Sequence, residues 1–198
     1  MASQSYPLGI SELKPQHWQQ MGEQFMGQAQ RHRQTEAPFF IDKLPNNFLY
    51  VGLILLAIPN AKIINTVRHP MDNCFSCFKQ LWAEGQYFTY DLDDLGRYYR
   101  DYIRLMKHWQ TVFPDKIHSI KYEQVVDNLE QTVTELLGYC GLLMEEQCLR
   151  FHETKRAVNT ASSEQVRQPI YKSAVAYWQH FEKDLQPLRD ALGDLVDG

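Results

Sequence analysis

Arg68 and Ser76 are the pair whose types and spacing could do chemistry. They stand eight residues apart in Ala61-Lys-Ile-Ile-Asn-Thr-Val-Arg68-His69-Pro70-Met-Asp72-Asn-Cys74-Phe75-Ser76. Upstream, Ile63, Ile64 and Val67 form a β-branched run suited to a buried parallel strand. Downstream, Pro70 is favoured at a first helical position, where its missing N–H is no loss. Asp72 then puts a carboxylate in the first turn, where the positive helix end favours it. Arg68 therefore falls at the carboxyl end of a strand and just before a helix, the crevice in which open α/β sheets bind ligands. A guanidinium beside a helix N-terminus suits phosphate or sulfate. Ser76 lies about two turns along, at roughly 1.5 Å rise per residue, so a phosphate on the first turn could reach both groups. Taken alone, the pattern also fits an arginine on a solvated loop with a serine nearby.

The elements that must position this pair follow from periodicity. Leu13, Trp18, Met21, Phe25 and Met26 predict an amphipathic helix from about Pro15 to Arg31, within a polar lead-in over 1–36. Phe39 to Leu44 reads as a short strand, and Asn46 to Ile58, apolar nearly all round, as a buried helix. The helix from Pro70 is expected to reach Trp82. Leu92, Leu95, Tyr98, Tyr99, Tyr102, Leu105, Met106 and Trp109 recur at three and four, predicting a long helix with Asp91 as its N-cap. Ile117 to Tyr122 is the third strand, Asn128 to Tyr139 a helix closed by Gly141, and Glu145 to Phe151 a short helix. Val158 to Gln168 has loop composition, and two helices are expected over Ser173–His180 and Phe181–Leu195. Strand–helix alternation predicts an α/β fold with a parallel sheet.

Composition narrows the classes. A chain of 198 residues suits one domain, 1–198, and would bury roughly 70% of its unfolded surface. The net charge of −4 argues against general nucleic-acid binding, so any anion site must be a local cluster of cations. Four cysteines form no dense framework, which favours a reducing compartment. Cys74 and Cys77 read as helix packing rather than redox or metal chemistry, and no metal site is expected. No run reaches the ~18 apolar residues of a membrane helix, and no leader is visible. Cytoplasmic location without membrane attachment is the expectation.

Three further segments carry candidate chemistry. Lys43 ends the expected strand in Ile41-Asp42-Lys43-Leu44-Pro45; from position alone it reads as a surface lysine. Tyr122 sits in Lys121-Tyr122-Glu123 at the end of the third strand. Arg156 to Tyr171 (Arg-Ala-Val-Asn-Thr-Ala-Ser162-Ser-Glu-Gln-Val-Arg167-Gln-Pro-Ile-Tyr171) looks by composition like a flexible linker. In this order, however, the four segments resemble sulfotransferases that use 3′-phosphoadenosine 5′-phosphosulfate (PAPS), in the tyrosylprotein-sulfotransferase-like branch often fused to tetratricopeptide repeats. The resemblance runs from about Tyr6 to Leu192 and takes in Gly96-Arg97-Tyr98-Tyr99 and Trp178.

That resemblance implies a P-loop nucleotide-hydrolase-like three-layer sandwich. It implies transfer of a sulfuryl group from PAPS to a hydroxyl of a protein tyrosine or a carbohydrate. It assigns Arg68 and Ser76 to the nucleotide 3′-phosphate, and Lys43 and Ser162 to the sulfonate and leaving group. Tyr122, Arg167, Tyr171 and Lys172 complete the nucleotide site. The family's glycine-rich phosphate turn, a basic residue followed by Ser-Gly-Thr-Thr, does not occur in these residues. The sequence therefore looks like the C-terminal part of such an enzyme, with the phosphate-loop strand missing and weak or no activity alone. Two alternatives stay open: a non-catalytic protein that binds the 3′-phosphoadenosine nucleotide, and half of a split enzyme completed by an N-terminal sulfotransferase or repeat segment. No side chain stands out as general base, because Asp42 alternates away from Lys43 on a strand.

Overall fold

In a computed structural model of the chain, residues 5–82, 84–153 and 167–197 are described. They divide into two compact units, Met1–Ile63 and Ile64–Gly198.

In the first unit, helix α1 (Pro15–His32) starts at a proline, as expected, and α2 (Val51–Ala57) follows a 3-10 turn over Pro45–Tyr50. The two helices approach closely at Gly22, where a Cβ would come within 2.0 Å of the Ala57 carbonyl oxygen. The strand expected over Phe39–Leu44 does not form. That stretch takes no regular secondary structure, and Ile41 is 88% exposed. Local bonds compete with a ladder here: the Asn47 amide donates to Asp42 Oδ1 at 3.0 Å, and the Arg33 guanidinium lies 5.6 Å from the Phe40 ring centre.

The second unit holds a small parallel sheet of β1 (Ile63–Val67) and β2 (Ile117–Lys121). Helix α3 (Pro70–Phe78) leaves β1, and α4 (Leu92–Val112) leads to β2. Asp91 caps α4 as its position foretold, accepting from the N–H groups of Asp93 and Asp94 at 2.9 and 3.0 Å. Helix α3 stops short of Trp82 because Trp82 turns its N–H and carbonyl to the Tyr90 hydroxyl, at 3.0 and 3.2 Å. β2 ends at Lys121, and Tyr122 opens a short helix, α5 (Tyr122–Asp127), where a strand end was expected. Asn128 separates α5 from α6 (Leu129–Cys140), its side chain accepting from the Gln131 N–H at 3.3 Å. Gly141, at φ 73°, closes α6 in the left-handed region that glycine enters freely.

The C-terminal stretch is less helical than periodicity suggested. It runs through a 3-10 turn over Tyr177–Phe181, helix α7 (Gln186–Leu192) and a last 3-10 turn over Gly193–Val196. The core gathers Met71, Cys74 and Phe75 of α3, Leu95 and Tyr99 of α4, and Trp178, Leu185, Leu188 and Leu192. α4 and α7 meet tightest at Gly96, where a Cβ would lie 2.5 Å from the Ala191 Cβ. Real side chains do not approach so closely, so Gly96→Ala forces the two helices apart. Overpacking of this kind costs ~1–3 kcal/mol, and urea denaturation of the variant should show a loss of that size. An unchanged midpoint would contradict the packing.

Candidate functional site

The β1–α3 junction forms one wall of a cavity of about 520 Å³ within the second unit. Its lining includes Arg68, Ser76, Tyr122 and Tyr171, four residues that the family resemblance assigns to a nucleotide site. Asp72 and Ser76 of α3, and Lys79 just past its end, line it at spacings of four and three.

Arg68 is the half-buried centre, its side chain 23% exposed. One terminal nitrogen donates to the Ala174 carbonyl and stands 3.7 Å from Asp72 Oδ1. The guanidinium carbon lies 5.2 Å from the centre of the Tyr122 ring, a cation–π distance. Its buried Nε–H has no hydrogen-bond partner among the described residues. An orphaned donor on a cation costs free energy until an acceptor arrives. An anion in the cavity would satisfy it.

Asp72 is 2% exposed and fully committed. Its two oxygens accept from the backbone N–H groups of Ala176, at 2.7 Å, and Trp178, at 3.0 Å. To present those N–H groups Ala176 takes φ 57°, a left-handed conformation that its Cβ disfavours. The carboxylate thereby ties the segment carrying Tyr171, Ser173 and Tyr177 against α3 and closes one side of the cavity.

Lys79 extends the cationic character of the wall. Its Nζ sits 4.3 Å from the Tyr177 ring centre and 4.7 Å from that of Phe75. Burial pushes the Tyr122 phenol upward against the pull of the adjacent Arg68 charge, so it stays a neutral donor near pH 7. Burial also raises the Cys74 and Cys77 thiols. Thiolate chemistry is disfavoured there, which fits the packing role expected of this pair.

The other expected site residues are placed differently. Lys172 is exposed and paired with Asp127 at 2.8 Å, and Arg167 is exposed; neither lines the cavity. Lys43 lies in the first unit, exposed on the irregular chain before Pro45. Ser162 falls outside the described residues. Sequence reading had assigned no site role to Lys79, although its spacing of three from Ser76 marked it as a neighbour on the same face.

Comparison with known proteins gives the family. A profile described as "Sulfotransferase family" matches residues 5–146, a span that contains β1, α3, α4 and β2. The chain belongs to the sulfotransferase family. This sulfotransferase chain is 40% identical over 161 residues to an "Uncharacterized protein" of Aquifex aeolicus (strain VF5). The match takes in 80% of the chain but 21% of that protein, so the chain spans about a fifth of the curated relative it matches. In structure it is similar to a "Sulfotransferase Domain from the Curacin Biosynthetic Pathway", with a TM-score of 0.57 at 18% identity. That similarity takes in 88% of this chain and 66% of the other, and it establishes the α/β, P-loop-like fold. Among the described residues no helix is long and apolar enough to cross a membrane.

Removing the Asp72 carboxylate strips the Ala176 and Trp178 N–H groups of their acceptor and Arg68 of its neighbouring counter-charge. Breaking a buried charge pair typically costs ~3–5 kcal/mol, and Asp72→Ala should lose stability in that range by urea denaturation. Near-ultraviolet dichroism should report a displaced Trp178. Asp72→Asn keeps one acceptor and should lose less. Equal stability in all three proteins would remove Asp72 from this role.

Proposed function

We propose that this cavity binds the 3′-phosphoadenosine end of PAPS and that the chain serves sulfuryl transfer from PAPS to a hydroxyl acceptor. One observation carries the reading: Arg68 and Ser76 line a single cavity, and the buried Arg68 Nε–H has no partner among the described residues. A 3′-phosphate would accept a charge-assisted bond from Arg68 and a second bond from the Ser76 hydroxyl. Tyr122 and Tyr171 would flank the nucleotide, with Tyr122 already set against the guanidinium. Lys43 and Ser162 are proposed to act at the sulfonate and the leaving phosphate, and Arg167 and Lys172 to reach the nucleotide. In the transfer, the bond from sulfur to the phosphate oxygen breaks as one forms to the acceptor oxygen, the hydroxyl proton is released to solvent, and 3′-phosphoadenosine 5′-phosphate leaves.

The acceptor classes that suit the family resemblance are a protein tyrosine or a carbohydrate hydroxyl. No Ser-Gly-Thr run occurs in these 198 residues. That observation favours a second reading, in which the chain holds the 3′ end and the cradle for the sulfonate end comes from another segment. Under it, the chain alone binds the nucleotide without turnover.

Both readings share one test, calorimetric titration with 3′-phosphoadenosine 5′-phosphate. Losing the Arg68 contact should remove ~1.5–3 kcal/mol, which weakens binding of Arg68→Ala by roughly 10- to 150-fold. Ser76→Ala should lose ~0.5–1.5 kcal/mol. Absence of binding by the folded parent, or equal binding by Arg68→Ala, would overturn the assignment of this cavity.

A further inference from the structure

One peptide group at the rim of the cavity is held from both sides. The Arg68 carbonyl accepts from the Tyr99 hydroxyl at 3.1 Å, and the His69 N–H donates to Glu123 Oε1 at 2.9 Å. These two groups belong to the same amide plane, the link between β1 and α3. A peptide plane is rigid and turns only about the flanking φ and ψ. Pinning both of its polar groups fixes ψ of Arg68 and φ of His69 together.

The Glu123 contact fills a specific need. His69 is the N-cap of α3, and its N–H has no partner inside the helix. In a capping box, an acid three residues later reaches back to that N–H. Here that position is Asp72, whose oxygens are committed to Ala176 and Trp178. Glu123, 54 residues away in sequence, supplies the acceptor instead. Its neighbour Tyr122 lies against the guanidinium of Arg68, so one turn after β2 sets both the backbone and the head group of the same residue.

We propose that Glu123 and Tyr99 are positioning residues for anion binding: by clamping the Arg68–His69 peptide they set the angle at which Arg68 enters the cavity. This rests on the reading of the cavity as a nucleotide 3′-phosphate site. Neither residue is proposed to touch the ligand.

The test combines a ligand-free readout with a binding readout on the full chain. Glu123→Ala removes the acceptor, Glu123→Gln keeps a carbonyl oxygen for the same N–H, and Tyr99→Phe keeps the core ring but loses the hydroxyl. By NMR without ligand, Glu123→Ala should speed hydrogen exchange at the His69 amide and shift the Arg68 Nε–H resonance, and Glu123→Gln should restore both. In calorimetry with 3′-phosphoadenosine 5′-phosphate, Glu123→Ala and Tyr99→Phe should each bind roughly tenfold more weakly, and Glu123→Gln close to the parent. Added to Arg68→Ala, Glu123→Ala should have little further effect, because positioning acts through Arg68. The same tenfold loss in the Arg68→Ala background, or an unmoved Arg68 Nε–H in Glu123→Ala, would overturn the proposal. A folded parent that binds no nucleotide would overturn the nucleotide reading, and the NMR comparison would then decide the clamp by itself.

Discussion

The buried Asp72 carboxylate is the interaction on which the second unit depends. A charge 2% exposed is tolerated only when its hydrogen-bonding capacity is filled. Asp72 fills it with two backbone N–H groups more than a hundred residues away and with the nearby Arg68 cation. The consequence is architectural. The segment after Tyr171 cannot continue as regular helix, since Ala176 must adopt a left-handed backbone to offer its N–H. That bend seats Trp178 in the core, stacked on His69 at a ring separation of 5.8 Å. The same bend leaves Tyr171, Ser173 and Tyr177 facing α3 across the cavity.

Electrostatics inside the cavity follow from the same residue. Asp72 cancels part of the Arg68 charge, yet it does so through one end of the guanidinium and leaves the buried Nε–H without a partner among the described residues. Lys79 adds a second cation held over two aromatic rings. In a chain of net charge −4, the cationic character of the cavity is thus a local arrangement around the β1–α3 junction rather than a property of the whole surface. Such an arrangement suits a small anionic group. It also agrees with membership of the sulfotransferase family, whose profile covers the β1–α3 junction but ends at residue 146, before the segment that closes the cavity.

The β1–α3 half of the site was legible in the sequence because its signals are local. A β-branched run, a proline at the first helical position and an acid in the first turn each act within a few residues. Asp91 and Gly141 were readable as caps for the same reason. What sequence reading missed is carried by distant partners. Nothing near Asp72 reveals that it will bind Ala176 and Trp178, and nothing near Glu123 that it will cap a helix 54 residues upstream. The strand expected at Phe39–Leu44 failed in the same way. Its composition suits a strand, but a strand exists only with a neighbour, and side-chain bonds at Asp42 hold the segment instead. Lys43, read as the end of that strand, therefore lies on exposed irregular chain. The helices expected over Ser173–His180 and Phe181–Leu195 rest on local composition, which could not show the break at Ala176 that the distant carboxylate imposes.

The central claim is that the Arg68 Nε–H and the Ser76 hydroxyl together receive a nucleotide 3′-phosphate. A crystal structure of the chain soaked with 3′-phosphoadenosine 5′-phosphate tests it most directly. The predicted result places 3′-phosphate oxygens within ~2.7–3.0 Å of Arg68 Nε and of the Ser76 hydroxyl, with the Asp72 contacts unchanged. Nucleotide bound elsewhere, or bound here with its 3′-phosphate turned away from Arg68, would contradict it.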